Sequence, residues 1–135
     1  MRASLMLDRA LSTTWHVDAT PFGQYAAGVS DTLRAIAALV QRGEVRISAH
    51  GYDEMAEDGI LAGEAIDGVT NAVVVEDYPE YSKGPCALVL QRDRGGAPIH
   101  VVWGIPGGQM SPAVLVTAYR PDPALWTDDF LRRRQ

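Results

Sequence analysis

The chain has the hydrophobic pattern of a helix from residue 30 onward. Ser30 or Asp31 can cap the free N–H groups at the start of this helix. The apolar stripe has a 3.6-residue period and consists of Leu33, Ile36, Ala37, Leu39 and Val40. Gly43 suits the left-handed position that ends a helix, so we expect the helix to stop there.

Shorter elements follow this helix. Val45–Ser48 alternates apolar and polar residues, which predicts a short strand with Val45 and Ile47 on one face. Residues 49–58 are helical in pattern, with Ser48 as the predicted cap and Gly59 as the stop. The pattern of residues 62–69, with Ile66 and Val69 on the inward side, predicts a second short helix.

The remainder of the chain predicts strand after strand. The four strands are Val73–Asp77, Cys86–Arg92, Pro98–Ile105 and Ala113–Tyr119. Short turns rich in Gly, Pro and Ser separate them, and short connections favour antiparallel pairs because parallel pairs need longer crossovers. Residues 124–134 have apolar positions that suit a C-terminal helix.

Alternation along the strands assigns residues to faces. His100 is expected on the face opposite Ile99, and Leu115, Thr117 and Tyr119 are expected to share a face. The register between the strands stays open, so no contact between His100 and Tyr119 is predicted.

Helices that precede a run of strands indicate an α+β, two-layer domain. We expect the N-terminal helices to pack on a mostly antiparallel sheet of four to five strands. Residues 29–135 form this single domain. Residues 1–28, with a short helix over 2–11, are expected to be an arm whose role the sequence leaves open.

Composition places the chain among ordinary globular proteins. Its 135 residues are 47% hydrophobic, which excludes a disordered chain, and no stretch has the apolar length of a membrane span. The single cysteine, Cys86, cannot form an internal disulfide, so we expect a reducing, cytoplasmic environment. The lack of a long apolar stretch also predicts no membrane partner.

The net charge of -5 is unevenly distributed. Residues 53–80 contain nine acidic residues and no Lys or Arg, whereas residues 81–135 carry a net charge of +3. The acidic stretch is either a solvated, helix-rich face or a docking face for a basic partner. The acidic total therefore does not exclude a nucleic-acid partner.

His50 is the first candidate for chemistry. It lies in the first turn of a predicted helix, where free N–H groups can bind an anion, and imidazole can act as general acid or base. Glu54 is four residues later on the same helix face, with Asp53 beside it. A metal site would need a third ligand that the sequence does not supply, so no metal and no cofactor are predicted.

A second group of candidates lies on the strands and in their turns. His100 is either packed or functional. Tyr119 and Arg120 together can bind and polarise a phosphodiester. Alternatively, Tyr119 packs in the protein and Arg120 is solvated. Lys83, Arg92 and Arg94 lie in turns and at strand ends, where they are expected to gather at one edge of the sheet.

Several motifs agree in order with one family. From about Val45 onward the chain resembles domain-of-unknown-function family 4258. The matching segments are 47–50, 52–55, 59–60, 98–102, 117–123 and Trp126, with Tyr81 to Cys86 marking a subgroup. In its order of helices and strands this family resembles compact bacterial toxins of the RelE, BrnT and MqsR kind. The resemblance implies a RelE-like fold for residues 29–135.

The resemblance further implies a toxin that cleaves mRNA without a metal. His50, His100 and Tyr119 match the recurrent positions that would carry catalysis. Lys83, Arg92 and Arg120 would hold RNA phosphate. The implied partner is a cognate antitoxin, MqsA-like with a zinc finger or another small DNA-binding protein.

The chain departs from the family at two helix positions. Glu54 and Asp58 stand where many members carry arginine, which removes cationic charge beside His50. Two alternatives to a nuclease therefore stay open. One is a non-enzymatic interaction module that uses residues 53–80, and the other is a degenerate enzyme fold.

Overall fold

A computed structural model describes residues 30–135, so the predicted arm over 1–28 lies outside the described residues. The helices are α1 (Asp31–Gln41), α2 (Ala49–Glu57) and α3 (Ala62–Asp67), and a 3₁₀ turn follows over Gly68–Asn71. The strands are β1 (Val45–Ile47), β2 (Val73–Tyr78), β3 (Cys86–Arg92), β4 (Pro98–Gly104) and β5 (Ala113–Tyr119). The predicted α+β class, with N-terminal helices and a mostly antiparallel sheet, is confirmed.

The first two helices begin where the sequence predicts. The Ser30 side chain accepts a hydrogen bond from the N–H of Leu33, and the Ser48 side chain accepts one from Gly51. Each bond satisfies a donor that the helix itself leaves free. After α1 the chain turns at Gly43, whose φ of 79° lies in the left-handed region.

The five strands form one sheet in the order β1-β5-β4-β3-β2. The strands from β2 to β5 are antiparallel neighbours, as the short turns predicted. β1 pairs with β5 in parallel, and α2, α3 and the next three strands lie between the two in the sequence. β1 therefore occupies one edge of the sheet, and β2 occupies the other.

The sheet has two differently covered faces. The helix-side face packs against the helices, and its buried residues include Val89, Ile99, Val101, Trp103 and Leu115. The outer face carries a second apolar cluster of Cys86, Leu88, Val102, Tyr119 and Trp126. As predicted, His100 lies opposite Ile99, because it contacts Tyr119 and Trp126 of the outer cluster.

The predicted faces of β5 are wrong after Leu115. The pairing with β4 shifts at this point, because Val102 faces Thr117 whereas Trp103 faces Leu115. The extra residue, Val116, changes the alternation, as a β-bulge does. Leu115 and Ala118 consequently pack in the core on the helix side, while Tyr119 belongs to the outer cluster.

The predicted C-terminal helix over 124–134 is wrong. Side chains there bond to the nearby backbone, which competes with helix formation. Asp122 accepts from the N–H of Ala124, and Asp129 accepts from the N–H of Leu131. Phe130 has a φ of 62°, and a bridge pairs Trp126 with Arg133. The segment therefore folds as a compact loop against the outer face.

None of the helices within residues 30–135 has the length and apolar character needed to cross a membrane.

Candidate active site

Helix α2 lies along β5 where β1 ends. The N–H of Ser48 donates to Leu115 O at 3.0 Å, and its hydroxyl donates to Val116 O at 2.8 Å. A Cβ added at Gly51 would lie 3.0 Å from Leu115 O, so the helix approaches closely here. At the far end, the N–H of Arg120 donates to Asp58 Oδ2 at 2.8 Å. The helix therefore follows β5 from Leu115 to Arg120.

His50 and Glu54 lie on the flank of α2 that points toward the outer side of the sheet. Successive helix residues are about 100° apart, and Gly51 marks the line of contact with β5. Met55 is on one side of this line and packs in the core on the helix side. Glu54, with His50 one turn before it, is on the other side. This flank is the one next to the outer face.

His50 and Glu54 form a pair with contrasting exposure. The Nε2 atom of His50 is 3.9 Å from Glu54 Oε2, and the His50 side chain is 41% exposed. Glu54 is only 5% exposed, and its Oε1 atom has no hydrogen-bond partner among residues 30–135. Leaving such a buried polar atom unpaired costs about 1–3 kcal/mol. The pair combines an accessible imidazole with a buried carboxylate that can take a hydrogen bond.

Thr117 is a second buried polar residue at this level of β5. Glu54 lies between Gly51 and Asp58 on the helix, which contact β5 near Val116 and at Arg120. The intervening part of β5 begins with Thr117. Thr117 is 3% exposed, and its hydroxyl also has no partner among the described residues. Thr117 is the register partner of Val102 of the outer cluster, so its side chain lies on the outer side of the sheet, along the part of β5 that α2 follows.

Arg46 is a cation that the sequence analysis missed. It lies between Val45 and Ile47, which pack against the core on the helix side, so its exposed side chain is on the outer side. It is the register partner of Val114, close to where α2 meets β5. No ion pair of Arg46 occurs within residues 30–135. The alternation of Val45–Ile47, directly before His50, is the signal that could have revealed it.

His100 and Tyr119 contact each other, but they are buried. They are register partners, and His100 Nδ1 is 3.1 Å from the Tyr119 hydroxyl. His100 Nε2 is 2.9 Å from Phe130 O, and the ring packs edge-on against Trp126 with centroids 4.4 Å apart. His100 is 0% exposed and Tyr119 is 1% exposed. In this arrangement the pair holds the C-terminal loop on the sheet.

Burial lowers the pKa of His100 to about 4, mainly because the charged ring would lose its hydration, and Arg133 adds repulsion. The unfolded chain, with an ordinary histidine, binds the proton more tightly between pH 6.5 and 4. We therefore expect His100 to contribute stability that is present above pH 6.5. Up to about 3 kcal/mol of it is lost as the pH falls to 4.

Denaturant unfolding of the wild type and of His100→Gln at pH 7 and pH 4.5 measures this contribution. The variant should be less stable at pH 7 and should show a smaller loss at pH 4.5. Equal losses in the two proteins would contradict the assignment to His100.

The expectation that Lys83, Arg92 and Arg94 gather at one edge of the sheet is wrong, because β3 lies between Lys83 and the other two. Lys83 lies in the turn before β3, whereas Arg92 ends β3, so the seven-residue strand separates them by roughly 20 Å. Arg120 lies near the Arg92 end of the sheet and pairs with Asp93 at 2.9 Å. Arg92 donates to Gly96 O. Lys83 and Arg92 therefore mark opposite ends of the sheet.

The acidic stretch is not one face. Its carboxylates are distributed over α2, α3 and β2, and arginines from later in the chain engage several of them. Glu64 accepts from the N–H of Arg94, and Asp67 is 4.0 Å from the Arg94 side chain. Glu76 pairs with Arg133 at 3.2 Å. The carboxylates of this stretch therefore lie on several elements, and some of them are engaged within the described part of the chain.

Cys86 is a free cysteine that lies buried in the outer cluster. Burial raises the pKa of the Cys86 thiol to about 12, so the reactive thiolate is scarce near neutral pH. Residues 30–135 contain no group of three or more His, Cys, Asp or Glu side chains placed to hold a metal ion.

Comparison with known protein families gives a match over the central part of the chain. The sequence profile of a family described as Domain of unknown function (DUF4258) matches residues 47–120. The matched region contains β2 to β5, α2 and α3, and it ends at Arg120, before the C-terminal loop. It includes His50, Glu54 and Thr117. No curated protein and no solved structure matches the chain.

Proposed function

The chain belongs to the family described as Domain of unknown function (DUF4258), and we propose that it is a toxin-type endoribonuclease that needs no metal ion. The observation that carries the proposal is the accessible His50 imidazole beside the buried Glu54 carboxylate, 3.9 Å apart. Proton donors and acceptors held together in this way support general acid–base catalysis.

The reaction class follows from what these groups can do. In RNA, the 2′-oxygen attacks the adjacent phosphorus while its proton passes to one member of the pair. The bond from phosphorus to the 5′-oxygen breaks, and this oxygen takes a proton from the other member. The products are a 2′,3′-cyclic phosphate and a 5′-hydroxyl, and no oxidant or co-reactant is consumed.

Arg46 is the cation that we assign to the phosphate. It is exposed on the same side of the sheet as the pair, and a guanidinium suits phosphate oxygens because its N–H groups match their geometry. Arg46 thus takes the role that sequence reasoning gave to Lys83, Arg92 and Arg120.

In this proposal His100 and Tyr119 do not contact the substrate. The Tyr119 hydroxyl is bonded to His100 and is covered by the C-terminal loop, so it does not meet substrate in this arrangement. We therefore assign this pair a structural role.

The direct test is incubation of the purified protein with a long mRNA and with a DNA of the same sequence, in the presence of EDTA. RNA should be cleaved to fragments that end in a 2′,3′-cyclic phosphate, and DNA should stay intact. Inducing the protein in a bacterium should arrest growth, and co-expression of a cognate antitoxin should relieve the arrest. Intact RNA together with normal growth would overturn the proposal.

Replacement of Arg46 tests the phosphate assignment. We expect Arg46→Gln to weaken RNA binding about tenfold and to lower the slope of log affinity against log salt by about one. Arg34→Gln is the matched control, because it removes the same charge from an exposed arginine paired with Asp31. Equal effects of the two substitutions would show that RNA affinity depends only on net charge, and would contradict the assignment of Arg46 to the phosphate.

A further inference from the structure

We infer that Glu54 and Thr117 bind the ribose 2′-hydroxyl of the substrate. The inference rests on the proposed function and adds the group that makes the site specific for RNA. Its basis is the pair of buried atoms, Glu54 Oε1 and Thr117 Oγ1, that have no hydrogen-bond partner within residues 30–135. Glu54 lies on α2 between Gly51 and Asp58, which contact β5 near Val116 and at Arg120, and Thr117 lies in this part of β5.

The hydrogen-bonding chemistry of the two atoms selects a hydroxyl. A carboxylate only accepts, so its partner must donate, whereas a threonine hydroxyl can donate and accept. One ligand hydroxyl can donate to Glu54 and accept from Thr117 at the same time. An oxygen without a hydrogen, such as an ionised phosphate oxygen, cannot donate a hydrogen bond to the carboxylate.

The position of the two atoms favours the 2′-hydroxyl over other hydroxyls of a nucleotide. In RNA this group is next to the phosphate that is cleaved. At the site, Glu54 is one helix turn from His50, and exposed Arg46 is on the same side of the sheet. A phosphate held by Arg46 and His50 would bring its neighbouring 2′-hydroxyl to the buried pair. Glu54 is then the member that takes the 2′-proton, and His50 protonates the leaving 5′-oxygen.

Thr117 is a positioning residue in this arrangement. It has no other hydrogen-bond role within the described residues, so its hydroxyl adds polarity to the core without a bond in return. Replacement of such a buried hydroxyl by an apolar group of the same shape is close to neutral or stabilising. Thr117→Val should therefore keep the fold while it loses recognition of the 2′-hydroxyl.

Ribonucleoside 3′-monophosphates are suitable probes, because they carry both the 2′-hydroxyl and a phosphate but have no bond to cleave. Binding of each of the four, and of its 2′-deoxy and 2′-fluoro counterparts, is measured by NMR titration of the full chain. Wild type should bind the ribonucleotide about tenfold more tightly than either counterpart, because neither counterpart can donate to Glu54.

Thr117→Val should reduce this preference to less than twofold, with an unfolding temperature equal to or above that of the wild type. Thr70→Val is the matched control, because Thr70 is exposed, and it should leave the preference unchanged. Equal binding of ribo- and deoxynucleotides by the wild type would overturn the inference alone. An unchanged preference in Thr117→Val would also overturn it, whereas failure to bind any 3′-phosphate would overturn the proposed function as well.

Discussion

His50→Gln is expected to slow RNA cleavage by about 10²–10³-fold, the usual range for loss of a general acid or base. Glutamine keeps an uncharged polar side chain on the flank that carries Glu54, but its amide cannot pass a proton as imidazole can. Because the His50 side chain is 41% exposed, the free energy of unfolding should change by less than about 1 kcal/mol. Single-turnover cleavage rates and denaturant unfolding measure the two quantities separately.

Asp53→Asn is the matched control for this substitution. Asp53 is exposed on the same helix and neighbours Glu54, so its loss changes the local charge without touching the pair. The control should retain the wild-type cleavage rate within about twofold, in line with the small effects of exposed substitutions. A wild-type cleavage rate in His50→Gln would show that His50 is not a catalytic residue. An equal loss of activity in Asp53→Asn would show the same.

Gly84→Ala is expected to have the largest effect on stability. An added Cβ would lie 2.0 Å from Ile105 O and 2.6 Å from the N atom of Gly107, and both atoms belong to the backbone. The turn before β3 and the loop after β4 are joined here, since the N–H of Gly107 donates to Lys83 O and the N–H of Ile105 donates to Pro85 O. The clash can be relieved only by separating the two loops, so we expect a loss of more than about 3 kcal/mol.

Gly43→Ala measures the cost of the backbone conformation alone, without the steric clash expected in Gly84→Ala. Gly84 and Gly43 both have a positive φ, 121° and 79°, but a Cβ at Gly43 would meet no atom within 4 Å. Its replacement should cost about 1–2 kcal/mol, the penalty for a side chain in the left-handed region. Denaturant unfolding of the two variants gives both values. Similar losses would show that the contact between the loops adds little to stability.

Much of the local structure was predictable because it depends on neighbouring residues. The predicted limits of Cys86–Arg92 and Ala113–Tyr119 are confirmed, as are the caps at Ser30 and Ser48. Capping uses a side chain within three residues of its target, and strand alternation repeats every two residues. These signals are complete within a short stretch of sequence.

Errors arose where a distant segment decides the structure. The alternation of β5 fails because pairing with β4 accommodates an extra residue at Val116. The apolar residues of the C-terminal loop suit a helix, but Trp126 instead packs against His100 on the outer face. Lys83 and Arg92 look adjacent as turn and strand-end residues, although β3 separates them.

The candidate site shows the same division. The sequence by itself determined that His50 and Glu54 share a helix face, because residues four apart are neighbours on any α-helix. Only the tertiary structure decided that Thr117 lies at the level of Glu54 and that Arg46 is on the same side of the sheet. These positions depend on the parallel pairing of β1 with β5 and on the path of α2 along β5. Both relations join segments more than sixty residues apart, so the local alternation around Arg46 gives its face of β1 but not which residues lie beside it.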